Sequence, residues 1–137
     1  MGLLYTKYKL FHFREKIDSL PASVPEICAP VHIRLKPTNV CNHACRYCAY
    51  RAEGLQLGQD MDVRDSIPRP KMLEIVDDIV AMGVRAVTFS GGGEPFMYPH
   101  LVEAARVLVD GGVAIASLTN GGRLQGEAAE LFAHRGT

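Results

Sequence analysis

The sequence lacks a net charge of either sign, and it lacks any long apolar run. Its 15 Lys and Arg residues balance 15 Asp and Glu residues, so the overall charge argues against a nucleic-acid or membrane-surface partner. No apolar stretch approaches the roughly 18–20 residues that a membrane span requires. Lys7 and Lys9 interrupt the amino terminus, which is therefore a poor signal peptide. Fixed-period repeats and low-complexity tracts are also absent, so the chain is predicted to be one globular domain.

The four cysteines are distributed unevenly. Cys41, Cys45 and Cys48 lie within eight residues, whereas Cys28 stands apart. A disulfide framework spreads its cysteines along an exported chain, so this pattern predicts free thiols in a reducing, cytoplasmic protein. We interpret Cys28 as a small buried hydrophobic residue. The other three occupy a polar loop, where core packing does not explain three thiols, and they are therefore candidate metal ligands.

Two kinds of metal centre compete for these thiols. Zinc takes four tetrahedral ligands, commonly in two short pairs. The second pair is missing here, so His43 or a more distant histidine would have to complete a zinc site. A ferredoxin-type 4Fe–4S cluster takes four cysteine thiolates, whereas this loop supplies three and would leave one iron open to an external ligand. A non-catalytic module, with structural zinc or an iron–sulfur electron carrier, stays the alternative to an enzyme.

The apolar pattern around the cysteine loop alternates between strand and helix periods. Strands are predicted over residues 31–36, 84–90 and 113–118, and helices over residues 70–82, 100–110 and from about residue 124. This alternation requires parallel strands and crossover helices, which is an α/β fold. The cysteines then follow the carboxyl end of the first strand, where such folds bind ligands. We interpret the polar connection 51–69 as a solvated loop rather than a lid.

A second motif, the glycine-rich turn Ser90-Gly91-Gly92-Gly93-Glu94-Pro95, follows the second predicted strand. Three consecutive glycines remove side chains from the path, so backbone groups can approach a ligand closely. Glu94 adds an acceptor suited to an ammonium group. A tight strand-to-helix turn is the alternative interpretation. Since successive parallel strands end on one rim, the two motifs are expected to lie together.

The pattern Cys-x-x-x-Cys-x-aromatic-Cys, with Tyr47 as its aromatic residue, resembles the signature loop of the radical S-adenosylmethionine (radical SAM) enzymes. The resemblance implies that Cys41, Cys45 and Cys48 hold a 4Fe–4S cluster whose fourth iron binds S-adenosylmethionine. It also implies that the methionine amino group is bound by a Gly-Gly-Glu-Pro motif. Together with Tyr47, the candidate cofactor-binding residues are Gly92, Gly93, Glu94 and Pro95. Thr119 and Asn120, after the third predicted strand, are candidates for contact with cofactor or substrate, with a polar turn as the alternative.

The resemblance covers about residues 31–137, a radical SAM core preceded by an amino-terminal extension over residues 1–30. It implies a partial (β/α) barrel, with three β/α units of an expected six, and thus the amino-terminal half of a longer enzyme. Reductive cleavage of S-adenosylmethionine would give a 5′-deoxyadenosyl radical that abstracts hydrogen from substrate, with flavodoxin or ferredoxin as reductant. The sequence identifies neither the catalytic residues nor the substrate, whether small molecule or peptide.

Overall fold

One parallel sheet organises the part of the chain that the computed structural model describes, residues 13–18, 29–52 and 58–135. Its strands are β1 (His32–Leu35), β2 (Ala86–Phe89) and β3 (Ala114–Ser117), in the order β1-β2-β3. The helices are α1 (Arg14–Asp18), α2 (Arg69–Ala81), α3 (Leu101–Asp110) and α4 (Gly126–Arg135). Within these residues the sheet is not closed. The predicted α/β fold with parallel strands is therefore confirmed as a partial barrel.

Within the described residues, the side chains of each strand alternate between a face buried against helices and a face that is exposed or half-buried. Val87, Phe89 and Ile115 are almost completely buried, and they belong to a core formed with α2 and α3. The helices contribute apolar side chains spaced three and four residues apart, as the sequence pattern predicts: Met72, Val76, Ile79, Leu101, Ala104, Ala105 and Leu108. Burying each of the larger side chains stabilises the fold by about 1.5–3 kcal/mol.

Proline and glycine set the helix boundaries close to the predicted positions. Pro70 lies in the first turn of α2, where its missing N–H costs no hydrogen bond. Gly83 and Gly112 follow α2 and α3 with φ angles of 71° and 79°, a left-handed conformation that ends helices and favours glycine. α4 begins at Gly126, two residues after the predicted start. No helix in the described ranges has the length and apolar character needed to cross a membrane.

The described part of the connection between the cysteine loop and α2 is mostly exposed, as the predicted solvated loop would be, and its backbone is also hydrogen-bonded to the chain that enters the cysteine loop. Thr38 and Ser66 form an antiparallel bridge, and the backbone N–H of Ile67 donates to the carbonyl of Pro37 at 2.9 Å. The backbone N–H of Asn39 donates to the carbonyl of Asp65 at 2.8 Å. These bonds hold the described part of the connection against the chain that enters the cysteine loop. The polar composition of this segment did not predict these contacts, because the backbone makes them.

Candidate active site at the carboxyl ends of the strands

The cysteine loop leaves the carboxyl end of β1 and folds into consecutive turns. The backbone N–H of Cys48 donates to the carbonyl of Cys45 at 3.1 Å, and that of Arg51 donates to the carbonyl of Cys48 at 3.1 Å. The backbone N–H of His43 donates to the Sγ atom of Cys41 at 3.4 Å. The three cysteines are free thiols and half-buried. The loop therefore offers three thiols on a backbone whose path is fixed by local hydrogen bonds.

The loop supplies three thiols, which are ligands that an iron–sulfur cluster takes. Among the residues that the structure describes, no three His, Cys, Asp or Glu side chains are grouped around one point. Each thiolate ligand of a 4Fe–4S cluster binds a different iron, so such a cluster does not require its ligands to converge on one point. His43, the proposed fourth zinc ligand, is exposed. Cys28 lies outside the described residues, so its predicted burial stays a prediction.

The glycine-rich turn packs directly on the chain that enters the cysteine loop. The backbone N–H of Gly93 donates to the carbonyl of Thr38 at 3.2 Å, and that of Glu94 donates to the carbonyl of Val40 at 2.9 Å. A Cβ atom on Gly93 would lie only 2.2 Å from the carbonyl oxygen of Val40. Gly93 is therefore required by the approach of the protein's own backbone. This role differs from the close approach to a ligand that the sequence suggested.

The carboxylate of Glu94 lies at the junction of two loops and is only 3% exposed. Its Oε1 atom accepts from the backbone N–H of Phe96 at 3.1 Å and from the hydroxyl of Thr119 at 2.6 Å. Its Oε2 atom accepts from the backbone N–H of Asn120 at 2.7 Å. A carboxylate has about four acceptor positions, so three donors leave one position for a further donor. Thr119 and Asn120, predicted to contact cofactor or substrate, thus contact Glu94.

A side-chain hydrogen bond connects the third loop to the cysteine loop. The amide Nδ2 of Asn120 donates to the Oδ1 atom of Asn42 at 2.9 Å. The loops after β1, β2 and β3 are therefore joined to one another, and the prediction that both motifs share one rim is confirmed. Tyr47 stands out from this rim with 88% of its surface exposed, whereas Pro95 is buried in a short 3₁₀ turn.

Two further residues shape the site although the sequence analysis did not select them. The guanidinium of Arg51 donates to the backbone carbonyl of Asn39 at 3.2 Å, which ties the chain after Cys48 to the chain before Cys41. The side chain of Asn39 donates to the carbonyl of Asp62 at 2.8 Å. The only feature of the sequence that could have indicated a role for Arg51 is its position three residues after Cys48. The partner of each side chain is a backbone carbonyl, which no residue pattern specifies.

Together, the parallel sheet and the loop on its carboxyl rim define an α/β protein with a partial barrel and three free thiols at that rim. Residues 35–137 match the sequence model of the Radical SAM superfamily. The chain therefore belongs to the radical SAM superfamily. Members of this superfamily use a 4Fe–4S cluster and S-adenosylmethionine, which are the two cofactors that the sequence resemblance implied.

Curated relatives are similar to part of the chain. A GTP 3′,8-cyclase of Synechococcus elongatus is 32% identical over 106 residues, which are 74% of this chain and 30% of the cyclase. An S-adenosylmethionine-dependent nucleotide dehydratase of Lacinutrix mariniflava is 33% identical over 87 residues, which are 61% of this chain and 17% of the dehydratase. The chain thus spans less than a third of the length of either relative.

A solved structure has the same fold. Streptococcus suis SuiB bound to S-adenosylmethionine superimposes with a TM-score of 0.64 and 19% sequence identity, over 98% of this chain and 30% of SuiB. A second SuiB structure, bound to its precursor peptide SuiA, gives the same TM-score over 96% of this chain. At this level of identity the similarity establishes the fold.

Proposed function

We propose that the protein is an enzyme in which Cys41, Cys45 and Cys48 hold a 4Fe–4S cluster. The Gly-Gly-Glu-Pro motif and Tyr47 would bind S-adenosylmethionine beside it. One observation carries the proposal: Gly93 and Glu94 are hydrogen-bonded to the backbone that leads into the cysteine loop. A molecule held by one motif must therefore lie next to the other. A non-catalytic zinc module would not need this contact.

When bound, the two cofactors supply a one-electron cleavage that yields a 5′-deoxyadenosyl radical able to abstract hydrogen from substrate. The protein's own contribution is to bind and orient. Glu94 has one acceptor position free for the ammonium group of the methionine moiety, and its three donors fix its orientation. Tyr47, exposed on the same rim, offers an aromatic face for contact with the cofactor. Gly92 and Pro95 are buried, so we assign them to shaping the backbone of the turn and not to direct contact through an exposed side chain.

Members of the superfamily need a reductant, and for this protein we propose flavodoxin or ferredoxin in a cytoplasmic, reducing compartment, where clustered thiols stay free. We also propose that residues 1–30 form an amino-terminal extension and that residues 31–137 form the core. The relatives named for GTP and nucleotides favour a small phosphorylated substrate over a peptide.

Anaerobic reconstitution of the protein with iron and sulfide tests this function. We expect equal amounts of bound iron and sulfide, a spectrum that changes when S-adenosylmethionine is added, and release of 5′-deoxyadenosine after reduction. A triple variant carrying Cys41→Ala, Cys45→Ala and Cys48→Ala should lose all three signals. The matched control is Cys28→Ala, which should keep them. The proposal fails if the triple variant still binds iron and cleaves S-adenosylmethionine.

A further inference from the structure

The loops after β1 and β3 touch each other although their strands are not neighbours. β2 lies between the two strands, and strands two places apart in a sheet are separated by about 10 Å. The amide Nδ2 of Asn120 nevertheless donates to the Oδ1 atom of Asn42 at 2.9 Å. This hydrogen bond therefore spans the sheet at its carboxyl rim, where Glu94 also lies.

Three groups of Asn120 are each used in a different hydrogen bond. Besides the bond from Nδ2 to Asn42, its Oδ1 atom accepts from the backbone N–H of Gly122 at 2.9 Å. Its backbone N–H donates to the Oε2 atom of Glu94 at 2.7 Å. Because Gly122 occupies the Oδ1 atom, the Nδ2 group is the one that faces the cysteine loop. Asn120 thus connects Asn42, the residue directly after Cys41, with the carboxylate of Glu94.

The side-chain amide of Asn42 is packed against the third loop. A Cβ atom on Gly122 would lie 3.1 Å from Nδ2 of Asn42 and 3.1 Å from Oδ1 of Asn120, so the glycine permits the close approach of the two amides. Within the described ranges, the bond to Asn120 is the only hydrogen bond of the Asn42 side chain. The polar contact that the structure describes for Asn42 is therefore the one that leads to Glu94.

We propose that Asn42 is a positioning residue that couples the cysteine loop to the carboxylate of Glu94 through Asn120. A ligand that orders one loop removes freedom that a bonded neighbouring loop would otherwise have to lose, so the two ordering steps favour each other. Assembly of the cluster on the cysteine loop should therefore hold Asn120 against Glu94 before S-adenosylmethionine binds. This inference deepens the proposed function, on which it rests, by adding a connection between the two cofactor sites that does not depend on a bond to iron.

Amide hydrogen exchange of the full-length protein, without S-adenosylmethionine, tests this coupling. In the unchanged protein, the backbone N–H of Asn120 should exchange more slowly after anaerobic reconstitution with iron and sulfide. Asn42→Ala removes the acceptor, so this N–H should exchange about threefold faster or more in the iron-free protein, the factor expected for loss of one modest hydrogen bond. Reconstitution should no longer slow the exchange in this variant. The backbone N–H of Val87, in the core, reports general destabilisation and should exchange equally in the unchanged protein and the variant.

Aspartate substitutions test whether the two amides act as a pair. Asn42→Asp keeps an acceptor for Asn120, and Asn120→Asp leaves an acceptor to which the amide of Asn42 can donate after it turns over. Each single variant should therefore keep the slow exchange of the backbone N–H at position 120. The double variant places two carboxylates against each other, which repel, and it should lose the slow exchange.

Equilibrium dialysis of S-adenosylmethionine against the reconstituted protein measures the effect on the cofactor site. The affinity should fall about threefold or more in Asn42→Ala, since one hydrogen bond that orients Asn120 is lost, and Asn42→Asp should restore it. Arg46→Ala is the matched control, because Arg46 is exposed in the same loop, and it should match the unchanged protein in both measurements.

The inference is overturned if the N–H of Asn120 exchanges equally fast in the iron-free unchanged protein and in iron-free Asn42→Ala. It is also overturned if reconstitution slows this exchange equally in both proteins, if Val87 is accelerated to the same extent as Asn120, or if the double aspartate variant keeps the slow exchange. Failure of the unchanged protein to bind iron or to release 5′-deoxyadenosine would instead overturn the proposed function. The comparison of iron-free proteins does not require the cluster, so the two failures are separable.

Discussion

The hydroxyl of Thr119 donates a 2.6 Å hydrogen bond to Oε1 of Glu94, and this bond joins the end of β3 to the turn after β2. The backbone N–H of Asn120 donates to the other carboxylate oxygen at 2.7 Å. Glu94 is therefore oriented by residues from a neighbouring strand, while its own backbone is bonded to Val40 beside the cysteine loop. A change at Thr119 should act on the candidate cofactor site without touching either motif.

Replacing Thr119 with valine removes the hydroxyl and keeps the size of the side chain. The hydroxyl also accepts from the backbone N–H of Gly121 at 3.0 Å, so the valine variant loses two hydrogen bonds. We expect Thr119→Val to lower the free energy of unfolding by about 2 kcal/mol, since a typical hydrogen bond contributes about 1 kcal/mol, and to weaken binding of S-adenosylmethionine to the reconstituted protein. Urea titration and equilibrium dialysis measure the two effects. Thr119→Ser retains the donor and should restore both. Equal loss in the serine and valine variants would show that the hydroxyl is not responsible.

Replacing Glu94 with glutamine places an amide NH₂ group among three hydrogen-bond donors. One of the donors then faces a donor instead of an acceptor, and an unsatisfied buried polar group costs about 1–3 kcal/mol. We expect Glu94→Gln to be destabilised by that amount in urea titration and to bind S-adenosylmethionine more weakly. Glu130→Gln is the control, because Glu130 is an exposed residue of α4. Unchanged stability and affinity in Glu94→Gln would contradict the described network.

The fold and the shared rim were predictable from sequence, because both follow from short-range patterns. The alternation of Ile33 and Leu35 with polar residues fixed the orientation of β1, and Gly83 marked the end of α2. The contacts that join the loops were not predictable. The partners of Arg51 and Gly93 are backbone carbonyls of residues far away in sequence, and only the three-dimensional path of the chain brings them together.

The close approach of Gly93 to the backbone of Val40 makes this position intolerant of any side chain. A Cβ atom would lie 2.2 Å from the carbonyl oxygen of Val40, and the two backbone segments are held together by the hydrogen bonds from Gly93 to Thr38 and from Glu94 to Val40. We expect Gly93→Ala to cost about 1–3 kcal/mol, as overpacking does, and to lower iron retention after reconstitution. Denaturant titration and iron analysis measure the two effects.

Gly91→Ala is the matched control for Gly93→Ala, because both residues lie in the same turn. A Cβ atom on Gly91 would approach its nearest neighbour, the carbonyl oxygen of Gly93, at 3.0 Å. A shift of a few tenths of an ångström relieves that contact, so Gly91→Ala should be the milder change. If the two alanine variants lose iron and stability equally, the contact with Val40 does not explain the glycine.

Arg51 closes the cysteine loop, because its guanidinium bonds to the carbonyl of Asn39 on the other side of the loop. We expect Arg51→Leu to load iron more slowly and to lose it faster on dilution into chelator, since the thiols would be less well preorganised. Arg46→Leu is the control, because Arg46 is exposed in the same loop and its loss changes the charge equally. Equal iron loss in both variants would show that the lost positive charge explains the effect, and it would contradict closure of the loop by Arg51.

An ion pair between α2 and α3 should make stability depend on pH in a defined direction. The Nε atom of Arg69 donates to the Oε2 atom of Glu103 at 2.9 Å, and this bond holds the pKa of Glu103 below its ordinary value of 4.5. Because the pKa is lower in the folded state, the contribution of Glu103 is present above about pH 4.5 and is lost as the pH falls through the folded-state pKa.

To isolate this effect, the free energy of unfolding of Glu103→Gln is compared with that of the unchanged protein. Urea titrations from about pH 7 to about pH 3 cover the range in which carboxyl groups titrate. We expect the unchanged protein to be slightly more stable at neutral pH, because the pair is exposed and such pairs contribute little. The difference should shrink toward acid pH, where Glu103 is protonated, and also in high salt, which screens exposed charges. If the difference in unfolding free energy stays constant or widens toward acid pH, the glutamine acts through packing. In that case the charge of Arg69 does not stabilise the contact between the two helices.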